Sequence, residues 1–83
     1  MAKKMTKAET AIYFFEKVAG YRRVETGSRR YIAFEGPQGK FFVGKNGAVR
    51  KGRNISESMS VGDILWPRIE KETKKHISKM ERG

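Results

Sequence analysis

Cysteine is absent from the 83 residues, which removes thiolate catalysis, disulfide staples and any cysteine-based zinc site together. A domain this small without disulfides suits a reducing compartment. Histidine occurs once, as His76. Its nearest acids in sequence, Glu72 and Glu81, have no paired ligand spacing, so neither a metal site nor a general base is expected there. No apolar run approaches the roughly 20 residues that a helix needs to cross a bilayer. Met1-Ala2-Lys3-Lys4-Met5 opens like the positive region of a signal peptide, but Lys7, Glu9 and Glu16 place charges in the stretch that would have to be apolar. A secretory hydrophobic region is thus missing, and a cytoplasmic location is expected. Acids are also scarce: 9 Asp+Glu stand against 19 Lys+Arg, for a formal net charge of +10. Such an excess points to a polyanionic partner, nucleic acid first.

The catalytic motifs are missing too. Gly39-Lys40 lacks both the preceding glycine and the following Ser/Thr of a P-loop. Ser56, Ser58 and Ser60 have no visible base to activate a nucleophile. Glu70 and Glu72 point to different sides of a helix, which disfavours concerted acid/base work. A chain of this length buries only about 60% of its unfolded surface and can spare few residues for a deep cleft. The sequence therefore reads as a non-enzyme with no cofactor and no catalytic residue.

What is present is concentrated between Tyr31 and Arg53, which reads as three antiparallel strands. Asn46-Gly47 suits a two-residue type I′ hairpin, because both residues tolerate positive φ. Pro37-Gln38-Gly39 suits a three-residue loop, a type I turn closed by a left-handed glycine. The first loop sets Val43 opposite Arg50 and Phe42 opposite Lys51. The second sets Phe34 opposite Phe42, Ala33 opposite Val43 and Ile32 opposite Gly44. One face then carries Ile32, Phe34, Phe42 and Val49, with Lys51 at its edge, and reads as the core side. The other carries Tyr31, Ala33, Glu35, Phe41, Val43, Lys45, Ala48 and Arg50. Two readings stand for this second face: a helix covers it, or it is an exposed platform of aromatic rings and cations.

The flanks read as helices. Thr6-Lys7-Ala8-Glu9 fits a capping box, and Ala8, Ala11, Ile12, Phe15, Val18 and Ala19 recur at helical spacing. A helix over 7–19 is expected, ended by a left-handed Gly20 and preceded by a mobile basic arm over 1–6. Tyr13 and Phe14 widen its apolar side. Tyr21 to Glu25 has β character and turns through Thr26-Gly27-Ser28, by a loop of two or three residues that leaves the facing of the strand open, into Arg29-Arg30-Tyr31, so the meander over 21–52 has three or four strands. The charge of Arg22, Arg23, Arg29 and Arg30 is explained in part as an edge strand guarded against association. Ile55 and Met59 are expected to pin the next loop to the core. A final helix over 64–80 is expected with Asp63 as N-cap, leaving Pro67 in the first turn, where its missing N–H costs little. Leu65, Ile69, Thr73, Ile77 and Met80 form its inward stripe, flanked by Trp66 and His76. Arg68, Lys71, Lys74, Lys75, Lys79 and Arg82 decorate its remaining surface, where late lysines suit the helix dipole.

The resulting fold class is α+β, with helix, antiparallel meander and helix in one domain. A three-stranded meander followed by a helix is similar in outline to the small sheet-based DNA-binding domains of phage integrases and AP2-type plant factors. None of their diagnostic motifs is matched, so no residue role is carried across. The expected function is nucleic-acid binding, DNA or RNA, through Tyr31, Lys40, Phe41, Lys45, Asn46, Arg50, Lys51 and Arg53. The lysines and arginines would meet phosphates, Tyr31 and Phe41 would stack on bases, and Arg50, Asn46 or Gln38 would read base edges. Two alternatives remain open. One is a basic inhibitor or adaptor of phage or mobile-element type, docking on an acidic protein through Tyr13, Phe14 and Trp66. The other is a homo-oligomer holding a small anionic nucleotide on donors from Gly44 to Arg53.

Overall fold

The computed structural model describes residues 5–81. The expected arm thus lies outside the described residues but for Met5 and Thr6. Helix α1 (Lys7–Tyr13) opens with the anticipated capping box: the Glu9 N–H donates to the Thr6 hydroxyl at 3.1 Å, and the Thr6 N–H donates to the Glu9 carboxylate at 2.8 Å. The helix then widens into a π-helical turn over Phe14–Val18, where the Ala19 N–H reaches back to the Phe14 carbonyl at 2.8 Å. Gly20 follows in the left-handed conformation expected of it, at φ 71°. A wider turn narrows the angle between successive side chains. The adjacent Phe14 and Phe15 both enter the core, while Ala19, expected on the inward stripe, is exposed.

Five strands come next: β1 (Arg22–Val24), β2 (Tyr31–Gly36), β3 (Gly39–Gly44), β4 (Val49–Lys51) and β5 (Met59–Ser60). Each pairs antiparallel with its neighbour in the order of the chain. Helix α2 (Gly62–Glu81) completes an α+β fold with one strand more than the sequence suggested. That strand is the Met59-Ser60 segment, expected to be loop; it pairs with Lys51 and Arg50, and Met59 is exposed rather than pinned to the core.

The two central turns exchange their expected lengths. Gly36 pairs with Gly39, so Pro37-Gln38 is a two-residue loop. At the other end Gly44 donates to the Ala48 carbonyl at 2.8 Å and accepts from the Gly47 N–H at 3.0 Å, which makes Lys45-Asn46-Gly47 a three-residue loop. Asn46 does not take the positive φ of a type I′ turn; only Gly47 does, at 89°. The Asn46 side chain instead accepts the Ala48 N–H at 3.1 Å, an Asx-type closure of the turn. Each slip is one residue, and a one-residue slip inverts a strand. The slips cancel between β2 and β4, so β3 alone is inverted: Phe34 faces Phe41, Ile32 faces Val43, and Val43 faces Val49.

The inner face therefore carries Phe34, Phe41, Val43 and Val49, and both helices pack against it through Ala11, Phe14, Phe15 and Ile69. Phe15 stacks on Phe34 and Phe41 with ring centroids 5.5 and 5.0 Å away. Tyr21 joins this cluster, its ring so close over Gly36 that a Cβ there would fall 2.6 Å from ring carbons. Val61 alone links β5 to α2, and its carbonyl accepts the Leu65 N–H at 2.9 Å. Asp63 is thus not the N-cap but part of the first helical turn, where its charge complements the dipole. Pro67 consequently lies inside the helix and leaves the Asp63 carbonyl without its helical donor.

Thr73 is the exception in this core: 2% exposed, with a hydroxyl that has no hydrogen-bond partner. Thr73→Val keeps the shape and removes the unsatisfied group, so it should stabilise the fold by about 1 kcal/mol. In a domain of this size that raises the melting temperature by about 4–8 °C, readable by calorimetry; a lowered melting temperature would show that the hydroxyl is satisfied.

Candidate nucleic-acid interface

The outer face of the sheet has no helix over it, and its apolar centre is closed by loops instead. Phe42, 1% exposed, floors a cleft whose walls are Glu25, Thr26 and Ser28 on one side and Asn54, Ile55 and Ser56 on the other. The second wall is held by Arg50, the outer-face partner of Phe42 in the neighbouring strand. Its Nε donates to the Ser58 hydroxyl and its Nη2 to the Ser58 carbonyl, both at 2.7 Å. Ser58 is buried and passes its own hydroxyl hydrogen to the Ile55 carbonyl at 2.6 Å. Gly52 lets the returning chain approach, since a Cβ there would lie 2.6 Å from the Ser58 Cα.

This construction reassigns several of the residues expected to bind nucleic acid. Phe41 leaves the candidate site: the inverted strand buries it at 4% exposure between helix and sheet, where it cannot stack on a base. Arg50 and Asn46 are occupied with their own loops. Arg53 pairs with Glu57 at 3.4 Å, an exposed ion pair of small energy. Lys40 lies 6.0 Å from the Phe42 ring, and Lys51 lies 5.5 Å from the Phe41 ring on the other face. Lys45 is exposed in its turn. Lys40 and Lys45 thus mark opposite ends of β3, about 17 Å apart along the strand, and do not form one cluster.

A different cluster forms at the Lys45 end. Tyr31 pairs with Gly44, and its ring edges against that glycine, where a Cβ would come 3.3 Å from one ring carbon. Arg29 and Arg30 precede Tyr31 in the loop between β1 and β2, and Lys45 comes directly after Gly44. Among the described residues none of these three cations has an ion-pair partner. The four arginines expected to act as one group divide in two. Arg22 pairs with Glu35 at 3.1 Å and Arg23 with Glu16 at 3.0 Å, whereas Arg29 and Arg30 are exposed and unpaired. Sequence reasoning missed this pair because both loops it weighed, of two or three residues around Gly27-Ser28, are too short. The observed pairing of Val24 with Ala33 leaves residues 25–30 outside the ladder. The Ser28 hydroxyl accepts the Arg30 N–H at 3.2 Å within that loop.

The residues of the adaptor reading are engaged inside the molecule. The Tyr13 hydroxyl lies 2.9 Å from His76 Nδ1 and 3.4 Å from Met80 Sδ. Phe14 is buried, and Trp66 is half-buried beneath the Lys7 ammonium at 4.9 Å. Among the described residues no three of His, Asp and Glu gather into a metal-binding group, and no helix is long and apolar enough to cross a membrane. Compared with protein-family models, curated proteins and solved structures, the chain shows no match.

The clamp on Ser58 has a direct consequence. Arg50→Ala removes two charge-assisted hydrogen bonds and leaves the buried Ser58 carbonyl unpaired, a loss of about 1–3 kcal/mol. Amide exchange should accelerate first over residues 52–58, with β2 and β3 protected. Uniform acceleration across the sheet would show that the clamp holds the whole fold rather than the loop.

Proposed function

We propose that this chain is a non-catalytic nucleic-acid-binding protein of the cytoplasm that holds phosphates at the Tyr31 end of its sheet. The observation that carries this reading is the group formed by Arg29, Arg30 and Lys45 next to Tyr31 in strand and register, three exposed cations with no ion-pair partner among the described residues, beside a half-buried ring. Arginine offers a planar fork of donors to phosphate oxygens, and lysine a mobile point charge. Tyr31 is half-buried against Gly44, and an aromatic ring there can stack on a base, an interaction worth about 1–3 kcal/mol. Lys40, Lys51 and the rest of the +10 net charge extend the attraction without fixing position. Sequence preference is not part of the reading, because Arg50 and Asn46 are committed to their own loops and Gln38 stands in the turn at the opposite end of the sheet from Tyr31.

Fluorescence anisotropy with labelled single-stranded and duplex oligonucleotides from about 50 to 200 mM salt tests it. Log K should fall linearly with log salt, by about 0.9 per duplex phosphate and about 0.7 per single-strand phosphate contacted. The triple variant Arg29→Ala/Arg30→Ala/Lys45→Ala should weaken binding and flatten the single-strand slope by about 2, one 0.7 step for each cation removed. Tyr31→Ala should weaken single strands most. Absence of wild-type binding at the low-salt end, or a triple variant that binds as the wild type does, overturns the proposal.

A further inference from the structure

The outer surface of α2 carries a second, separate concentration of charge. At about 100° per residue, Lys74, Lys71, Lys75, Arg68 and Lys79 fall within one arc of about 140° that contains no acid. Asp63 and Glu70 border the arc on one side and Glu72 on the other. All five cations are exposed, and among the described residues none is in an ion pair, Lys74 included, although Glu70 stands four residues before it. The arc faces away from Ile69 and Thr73, the buried side of the helix. Complementing the helix dipole does not account for it: only Lys79 belongs to the last turn, and Arg68 and Lys71 stand in the first half of the helix. Lysine and arginine spaced along about 16 Å of a rigid helix instead match a rod of regularly placed negative charge.

Position gives this second surface its meaning. Tyr31 projects from the outer face of the sheet, and α2 belongs to the layer on the inner face. The Tyr31 ring and the α2 arc therefore look in opposite directions across a body whose shorter dimensions are 24 and 23 Å. A duplex with a persistence length of about 150 base pairs does not fold around an object of that size. We infer that the protein bridges two nucleic-acid segments, seating a duplex on the α2 arc while the Tyr31 end of the sheet holds another. This rests on the nucleic-acid reading of the sheet surface and adds a second site and an activity to it.

The test uses biotinylated duplex on beads, a second labelled duplex in solution, and protein at about 50 mM salt, with anisotropy on each duplex alone as the companion measurement. The wild type should bind one duplex and also carry the labelled duplex to the beads. The five-residue variant Arg68→Gln/Lys71→Gln/Lys74→Gln/Lys75→Gln/Lys79→Gln alters only exposed positions and keeps a good helix former at each. It should still bind a single duplex but lose at least tenfold of the capture. The triple variant of the sheet site should retain residual duplex binding through α2 and lose capture equally. Capture by the five-residue variant at the wild-type level would assign bridging to self-association and overturn the inference, as would wild-type binding without capture. Binding to single strands with no binding to any duplex would also overturn it while leaving the sheet reading standing; absence of all binding would remove both.

Discussion

The contact on which the rest of the molecule depends is the stack of Phe15 on Phe34 and Phe41. Phe15 also meets Phe14 and Tyr21 within ring-contact distance, so one side chain joins the π-helical turn, the strand entry and the two longest strands. Its position is a backbone matter. The wider turn at Phe14–Val18 narrows the angle between two adjacent phenylalanines, and both face inward. Small domains have little core to spare, and here the aromatic cluster takes the place that a deeper aliphatic core would fill in a larger protein. Gly36 matters for the same reason, because only a residue without a Cβ lets the Tyr21 ring lie against the strand.

Much of this was legible in the residues. Thr6 and Glu9 marked the helix start through a local reciprocal bond, Gly20 its end, and the apolar periodicities gave the order of helix, sheet and helix. What was not legible was the register of β3. Phe41, Phe42 and Val43 are consecutive and apolar, so binary patterning gives no preference for either face, and the decision fell to the turns. Each turn contained glycine beside a residue that suits either loop length, and the two errors compensated on β2 and β4. Agreement between the strands was therefore no evidence of correctness. The site inherited the same fault: Phe41 and Phe42 exchanged places, taking Phe41 into the core. The Arg29 and Arg30 pair escaped notice because a loop of six residues carries no periodicity to read.

Charge in this protein falls into two populations. Arg22, Arg23, Arg50 and Lys7 are drawn onto carboxylates, a carbonyl or a ring of their own chain, and they serve the fold. The lysines and arginines beside Tyr31 and along the outer arc of α2 have no such partners among the described residues. A sequence count cannot separate the two, since both contribute equally to the +10 total. Only the ladder pairing and the direction of the helix do so. The same separation explains why the acidic residues are not spread evenly: Glu16 and Glu35 sit beside the edge strand β1, and no acid falls within the outer arc of α2.

The strictly sequential strand order also bears on how the chain acquires its structure. Every strand pairs with the one just before or after it, so the sheet can zip from short loops whose closure entropy is small. Phe15, by contrast, finds its partners only after β2 and β3 have met. Helix α1 leaves the ribosome before the strands it packs on and must wait: until Phe41 has been synthesised and paired, its apolar side has nowhere to go, and it is then exposed to whatever chaperone or neighbour reaches it first.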